Sequence, residues 1–139
     1  GRALNICSSI INKHPFPGPG LAIRIIGKIT KEKIKILQKA DEIYINFLIK
    51  QKIYNEIWQA YAALLPVKTV GVQGDVRAYG NTIAVRAVHS YDAMTAKAAE
   101  IPYPVLKKIS ERITRELKSQ VNRVVYDITD KPPGTIEWE

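Results

Sequence analysis

Four residues near the C-terminal end carry groups suited to binding an anion and a polar ring. Arg123 and Lys131 supply positive charge, and the open backbone of Gly134 allows close approach, so the three could converge on one anion. Glu137 could accept hydrogen bonds from hydroxyl groups or ring nitrogens. This pattern predicts a phosphate at one end of a site and a sugar or base at the other. The alternative is an ordinary surface hairpin with scattered charges, because surface charge is common.

The elements that carry these residues form the last part of the chain, residues 122–139. Residues 124–129 alternate in polarity with the period of two that is typical of a strand. The sequence Asp-Lys-Pro-Pro-Gly at 130–134 then predicts a turn, because proline has no amide hydrogen and glycine tolerates unusual backbone angles. Residues 135–139 alternate again. The pattern therefore predicts a hairpin that ends the chain and is fastened to the rest of the domain.

A second segment with binding potential precedes the first helix. Residues 14–20, HPFPGPG, contain three prolines and two glycines, so the backbone is expected to be extended and stiff, with points of close approach. Such a segment can line a ligand site, or it can be a linker between domains. Residues 21–26 then predict a short apolar strand, in which Arg24 is a plausible charged contact.

The remaining elements follow from apolar periodicity. The pattern predicts helices over residues 30–52, 54–65 and 102–118, and strands over 67–73 and 82–90 joined by a long loop. The expected fold class is α+β, a two-layer helix-strand-strand-helix-strand-strand arrangement in which a mostly antiparallel sheet is covered by helices on one face. We expect the uncovered face to receive a partner subunit.

Composition indicates one modest domain. The chain has 139 residues, of which 46% are hydrophobic, so it can bury a real core. No apolar run approaches the roughly 20 residues of a bilayer span, and no signal peptide is visible, so we expect a cytoplasmic protein without a membrane segment. The single Cys7 excludes an intramolecular disulfide and fits a reducing compartment. Neither His14 nor His89 has a second ligand at metal-binding spacing, so we expect no metal site.

The formal net charge of +8 is concentrated in the N-terminal part, where residues 1–52 hold ten Lys/Arg against three Asp/Glu. A basic half raises the hypothesis of nucleic-acid binding, since lysine and arginine neutralise phosphates. However, the lysines between 28 and 39 spread around the predicted helix instead of forming one stripe. A solvated lysine-rich face is therefore favoured, and a nucleic-acid partner is not expected.

Four stretches of the chain resemble the C-terminal part of the GMP synthase family, in the same order. They are HPFPGPGLAIRIIG at 14–27, EIWQAYAALLPVKTVGVQGDVRAYG at 56–80, DAMTA at 92–96 and the tail NRVVYDITDKPPGTIEWE at 122–139. The chain departs from the family pattern at Ala93, where glycine is usual. Residues 1–13 do not match what is expected before HPFPGPG.

The resemblance implies a role in making GMP from XMP, ATP and ammonia. It implies that residues 1–27 are a lead-in and connecting segment, and that residues 28–139 form a dimerisation and XMP-binding domain. The implied XMP-binding residues are Pro17, Gly18, Pro19, Gln59, Arg123, Lys131, Ile136 and Glu137.

The sequence contains neither an SGGVDS-like pyrophosphate-binding loop nor a glutaminase triad. The resemblance therefore implies ATP and Mg²⁺ for the complete enzyme but no cofactor and no catalytic residue in this chain. The implied partners are a second copy of the chain, an ATP-pyrophosphatase domain or chain, and a glutaminase that is either fused or separate. A nucleic-acid-binding module and a purely structural dimerisation domain remain as alternatives.

Overall fold

A computed structural model describes residues 23–92 and 94–138 of the chain, which fold into an α+β domain. The elements are helix α1 (Lys31–Lys50), strands β1 (Gln59–Gln73), β2 (Val76–His89) and β3 (Lys97–Ala98), helix α2 (Tyr103–Glu116) and strand β4 (Val121–Tyr126). The predicted fold class is confirmed as α+β with a mostly antiparallel sheet and helices. The order of elements differs, because a third strand precedes α2 and only one strand follows it.

Strand β2 is the centre of the sheet. It pairs antiparallel with β1 over most of its length, with an irregularity between Leu64 and Lys68, and antiparallel with β3, while β4 runs parallel to it. The hairpin between β1 and β2 closes at Gly74, whose φ of 62° lies in the region that favours glycine. The long loop predicted at residues 74–81 is therefore wrong, since the ladder continues to the pair Gln73 and Val76.

Both helices pack on the same face of the sheet. The side-chain oxygen of Thr30 caps α1 by accepting from the Lys33 amide at 3.1 Å, which confirms the predicted start of this helix. Pro102 stands at the N-cap of α2. The core between the layers is built from these apolar residues of the helices and strands: Ile36, Leu37, Ala40, Ile43, Leu48, Ala60, Ala62, Leu64, Ile83, Val85, Ala87, Ile109, Ile113 and Leu117.

The helix predicted over residues 54–65 is wrong. Only Tyr54–Glu56 form a single 3₁₀ turn, and strand β1 begins at Gln59. The apolar run that follows fits both periodicities, and a strand buried on both faces reads as continuously apolar. Residues 60, 62 and 64 face the helices, and their neighbours pack on the other face of the sheet.

The predicted terminal hairpin is also wrong. Strand β4 pairs with β2, and residues 135–138 form no strand. Lys131 instead makes one antiparallel bridge to Ala96, with N–H···O distances of 2.8 and 2.9 Å. The two prolines that follow, Pro132 and Pro133, have no amide hydrogen and cannot continue a ladder. Of the predicted strand at residues 21–26, the described part forms a single bridge from Ile25 to Leu64.

The sheet face opposite the helices is covered in part by the chain itself. We call residues 131–138 the tail. Ile136 of the tail packs against Val88 and Ala96, with the half-buried Trp58 alongside. The expectation that this face is left uncovered for a partner is therefore wrong at this position. Neither helix in the described ranges combines the length and the apolarity of a membrane span.

Candidate functional site

Two of the predicted site residues, Gln59 and Glu137, are hydrogen-bonded to each other, so the tail is joined to the start of β1. Gln59 begins β1, and its Nε2 donates to Glu137 Oε1 at 2.6 Å. Arg24 approaches the same carboxylate, with Nη2 2.9 Å from Oε1 and Nε 3.4 Å from Oε2. Residues that are far apart in sequence therefore converge on one carboxylate.

Arg24 is almost fully buried, with 2% of its surface exposed, and it needs the partners that surround it. Its guanidinium lies over the ring of Tyr61, 4.5 Å from the centroid. Arg24 also interacts electrostatically with the Asp41 carboxylate. Asp41 Oδ1 accepts a hydrogen bond from the Ala62 amide at 2.8 Å. Burial raises the pKa of Asp41, while that hydrogen bond and Arg24 act in the opposite direction. Burial also raises the pKa of Tyr61, and the charge of Glu137 adds to the effect.

A second arginine fastens the backbone of the tail. Arg86, which is only 1% exposed, donates from Nε to the Ile136 carbonyl at 2.8 Å and from Nη2 to the Thr135 carbonyl at 2.8 Å. Its Nη1 reaches the Asp127 carbonyl at 3.3 Å and the Asp127 carboxylate at 3.2 Å. The Tyr61 hydroxyl donates to the same Ile136 carbonyl at 2.7 Å. Ile136 therefore contributes an apolar side chain to one cluster and a carbonyl to another.

Lys131 lines a hollow at the other end of the tail. The hollow has a volume of about 380 Å³ and is bordered by His89, Ser90, Tyr91, Thr95, Ala96, Lys97, Asp130, Lys131 and Pro132. The bridge to Ala96 fixes the backbone of Lys131, and Asp130 Oδ1 accepts from the Ala98 amide at 2.8 Å. Two lysines border this cavity together with one carboxylate, that of Asp130, so its formal charge is positive and it can receive an anion.

Arg123 is not brought to this cavity within one chain. Arg123 pairs with Thr82 of β2, whereas Lys97, at the border of the cavity, pairs with His89 of β2. Thr82 and His89 are more than about 20 Å apart along the strand. Arg123 is also exposed. The prediction that Arg123 and Lys131 converge on one anion therefore has no support from the position of the two strands in a single copy.

Gly134 closes the turn and does not present its amide to a ligand. Its N–H donates to the Asp130 carbonyl at 2.9 Å, and an added Cβ would lie 3.0 Å from Thr129 Cγ2. Pro17, Gly18 and Pro19 lie outside the described residues. Within residues 23–92 and 94–138, no group of three or more His, Cys, Asp or Glu side chains is arranged to hold a metal ion.

Sequence reasoning gave Arg86 no role and treated Arg24 only as a plausible contact. A signal for Arg86 existed, because it is the single charged residue among apolar neighbours in the run Ile83-Ala-Val-Arg-Ala-Val88. A charge in a strand that is otherwise buried must be paired. Its partners were not identifiable, since they are backbone carbonyls at the far end of the chain.

The sequence profile described as GMP synthase C terminal domain matches residues 46–138. The chain is 59% identical over 139 residues to a protein named GMP synthase [glutamine-hydrolyzing] of Thermosipho melanesiensis, and 55% and 58% identical to proteins of that name from Aquifex aeolicus and Prochlorococcus marinus. All of the chain is covered in each comparison, and it spans 27%, 27% and 26% of the respective relatives. The chain therefore belongs to the GMP synthase C-terminal domain family.

Proposed function

We propose that this chain is the XMP-binding part of an enzyme that aminates XMP to GMP with ATP in purine nucleotide biosynthesis. The observation that carries the proposal is the tail, which holds a polar pair at one end and a lysine-lined hollow at the other. Glu137 and Gln59 form the pair, and Lys131 borders the hollow. The apolar cluster of Val88, Ala96 and Ile136 with Trp58 lies between them.

The polar pair retains capacity to recognise a ribose or a base. Glu137 Oε1 accepts from both Arg24 and Gln59, whereas the contact of Oε2 among residues 23–92 and 94–138 is the long one of 3.4 Å from Arg24. An ionised carboxylate offers about four acceptor positions, so Oε2 can accept from a sugar hydroxyl or a ring N–H of XMP. Gln59 Oε1 adds a second acceptor on the same side of β1. Residues 17–19 and Ile136 complete the proposed set of contacts.

The hollow at Lys131 suits the phosphate of XMP. The ammonium of Lys131, with Lys97 and His89 at the border, would neutralise a dianion that the polar pair cannot hold. A charge-assisted contact of this kind contributes on the order of 1.5 to 3 kcal/mol. Because Arg123 lies at a distant level of the sheet, we assign it to this phosphate only through a second copy of the chain.

The described residues do not fit ATP or Mg²⁺. No cluster of acidic side chains or histidines within 23–92 and 94–138 is arranged for a metal ion, and no glycine-rich phosphate loop stands in the sequence. We therefore derive no step of the reaction through either group. In the proposal, residues 28–139 bind XMP, residues 1–27 connect, and an ATP-pyrophosphatase and a glutaminase supply activation and ammonia. The single cysteine is compatible with the cytoplasmic location that this role implies.

The proposal includes a homodimer, and the far end of the β1–β2 hairpin offers a surface for it. Val72 and Tyr79 are 72% and 73% exposed, although they are large apolar side chains close together on one face of the hairpin, and Val76, which is 67% exposed, lies on the other face. Apolar groups clustered in this way are typical of contact surfaces. A domain that only assembles, without touching nucleotide, is the second candidate function that this surface favours.

Calorimetric titration with XMP, with AMP as the control nucleotide, tests the proposal. It is performed on the complete enzyme that contains this chain and on the 139-residue chain, together with a measurement of mass in solution. XMP binding that is selective over AMP, and is weakened by Lys131→Ala but not by Lys107→Ala on the exposed side of α2, supports the proposal. A dimer without XMP binding in either protein favours the assembly role, and salt-dependent nucleic-acid binding without XMP preference contradicts both.

A further inference from the structure

We infer that Arg86 is a positioning residue for the nucleotide site, because it holds the tail in the register that brings Lys131 and Glu137 to their places. This inference rests on the proposed function. Arg86 itself touches neither the hollow nor the polar pair. It acts through the backbone of residues on both sides of the turn.

Arg86 joins the two ends of one loop. The loop leaves the sheet at Asp127 and returns at Ile136, and it contains the turn with Lys131. The guanidinium binds the carbonyl and carboxylate of Asp127 at the first end and the carbonyls of Thr135 and Ile136 at the second. The loop is therefore closed from inside the domain by one planar side chain.

The hydrogen bonds that close the loop require an arginine side chain. Three nitrogen atoms of Arg86 donate in different directions of one plane, to acceptors that belong to two separate backbone segments. A lysine ammonium keeps the charge, but its donors radiate from one nitrogen and cannot span both segments. The site is also buried, so an unfilled carbonyl there is not compensated by bulk water.

Both functional ends of the tail depend on this closure. Glu137 follows directly after the carbonyls that Arg86 holds, so their position sets where its carboxylate meets Gln59 and Arg24. Lys131 lies inside the closed loop, and its only backbone bridge in the described part of the chain goes to Ala96. Loss of the closure therefore loosens the phosphate end and the polar pair together, while the core between helices and sheet is untouched.

The test is Arg86→Lys in the complete enzyme, with the KM values for XMP and ATP, kcat and amide hydrogen exchange as readouts. We expect the KM for XMP to rise roughly tenfold or more, with the KM for ATP and kcat at saturating XMP within about twofold of wild type. The amides of Lys131 and Gly134, which donate to Ala96 and Asp130, are expected to exchange faster. A tail that was only structural would lower the amount of active enzyme without changing the KM for XMP.

The matched controls are Ile109→Val and Ile109→Ala in the core between helices and sheet. The variant that lowers the melting temperature as much as Arg86→Lys does is compared with Arg86→Lys. Its KM for XMP is expected to stay at the wild-type value. An Arg86→Lys enzyme with an XMP KM equal to wild type or to this control overturns the inference. If Arg86→Lys does not fold, Asp127→Asn removes the negative charge from one contact of the closure and is expected to raise the KM for XMP roughly threefold, and an unchanged value overturns the inference instead.

Lys131→Ala separates this inference from the proposed function. If Lys131→Ala raises the KM for XMP but Arg86→Lys does not, only the positioning role fails. If neither Lys131→Ala nor Glu137→Gln changes the KM for XMP, the nucleotide site itself is wrong, and the positioning role fails with it.

Discussion

Arg24 Nη2 lies 2.9 Å from Glu137 Oε1, and this ion pair joins two residues that are 113 positions apart in the sequence. Both side chains are largely removed from water, and Gln59 donates to the same oxygen. A buried pair of this kind is sensitive to the loss of one partner, because the remaining charge stays buried without its hydrogen-bonded counterion.

Glu137→Gln is therefore expected to destabilise the domain. It removes the countercharge of Arg24, and the free energy of unfolding should fall by about 3 kcal/mol, measured by urea denaturation at neutral pH. The matched control is Glu116→Gln, which removes the charge from the surface pairs of Glu116 with Arg112 and Lys39 and should cost much less stability than Glu137→Gln does. Equal losses for the two variants would contradict the assignment of the Arg24 pair as buried.

Lys131→Ala tests the phosphate end of the site. In the complete enzyme we expect the KM for XMP to rise roughly tenfold, with the KM for ATP unchanged, because in the proposal Lys131 contacts the phosphate of XMP and not ATP. Steady-state kinetics with each substrate varied in turn measures both values. Lys107→Ala on α2 is the control for loss of one positive charge. Equal increases for XMP and ATP would argue against a direct phosphate contact.

Asp41 gives the domain a predictable dependence on pH. Burial raises its pKa in the folded state above the ordinary value of 3.8. The unfolded chain therefore releases the Asp41 proton first as pH rises, so the contribution of Asp41 to stability falls from about pH 3.8 upward until its folded pKa is passed. Above that pH the contribution is constant.

The measurement is the difference in unfolding free energy between wild type and Asp41→Asn across this pH range. Asparagine keeps an oxygen that can accept from the Ala62 amide, so the hydrogen bond at 2.8 Å is preserved. We expect wild type to lose stability relative to Asp41→Asn as pH increases. A difference that is flat, or that changes in favour of wild type, would mean that Arg24 and the Ala62 amide outweigh burial.

Two glycines of the β1–β2 hairpin are required by Asn122. An added Cβ would lie 2.7 Å from Asn122 Nδ2 at Gly71 and 2.9 Å from it at Gly80. Asn122 cannot move away freely, because its Oδ1 accepts from the Thr69 hydroxyl and its Nδ2 donates to the Thr69 carbonyl, both at 2.7 Å. Gly80→Ala should therefore reduce the unfolding free energy by about 1 to 3 kcal/mol.

A double-mutant cycle checks this explanation. If the clash with Asn122 is the cause, Gly80→Ala should cost much less in an Asn122→Ala background than in wild type, as measured by thermal or urea unfolding. Additive losses in the double variant would show that Gly80 is needed for another reason, such as backbone freedom.

The sequence was sufficient to predict the fold class because α1 begins at the cap Thr30, α2 begins at Pro102, and each helix has one apolar face. It was insufficient for residues 57–65, where nearly every side chain is apolar and both periodicities fit. Both faces of β1 are buried because the helices cover one face and the tail covers part of the other. These covering elements are distant from β1 in the sequence, so a local pattern does not reveal them. The parallel pairing of β4 with β2 was likewise beyond local pattern, because the two prolines at 132 and 133 resembled a hairpin turn.

The candidate site was predicted unevenly for a related reason. Gln59 and Glu137 were both proposed from family resemblance, and the fold brings them within hydrogen-bond distance although Gln59 had been assigned to a helix. Arg86 and Arg24 had to be found in three dimensions, since their partners lie at the opposite end of the chain. The pairing of Arg123 with Thr82 is a property of strand register, which charge type alone does not determine.

The ion pair between Arg24 and Glu137 also couples two distant segments of the domain energetically. Arg24 lies in the segment before α1, and Glu137 lies in the tail. One interaction free energy therefore depends on the positions of both segments. A nucleotide that donates a hydrogen bond to Glu137 would change the energy of the contact with Arg24, and a displacement of Arg24 would change nucleotide affinity at Glu137 by the same factor. If Glu137 binds the nucleotide as proposed, the position of the segment that carries Arg24 and the affinity for the nucleotide are reciprocally coupled through this one carboxylate.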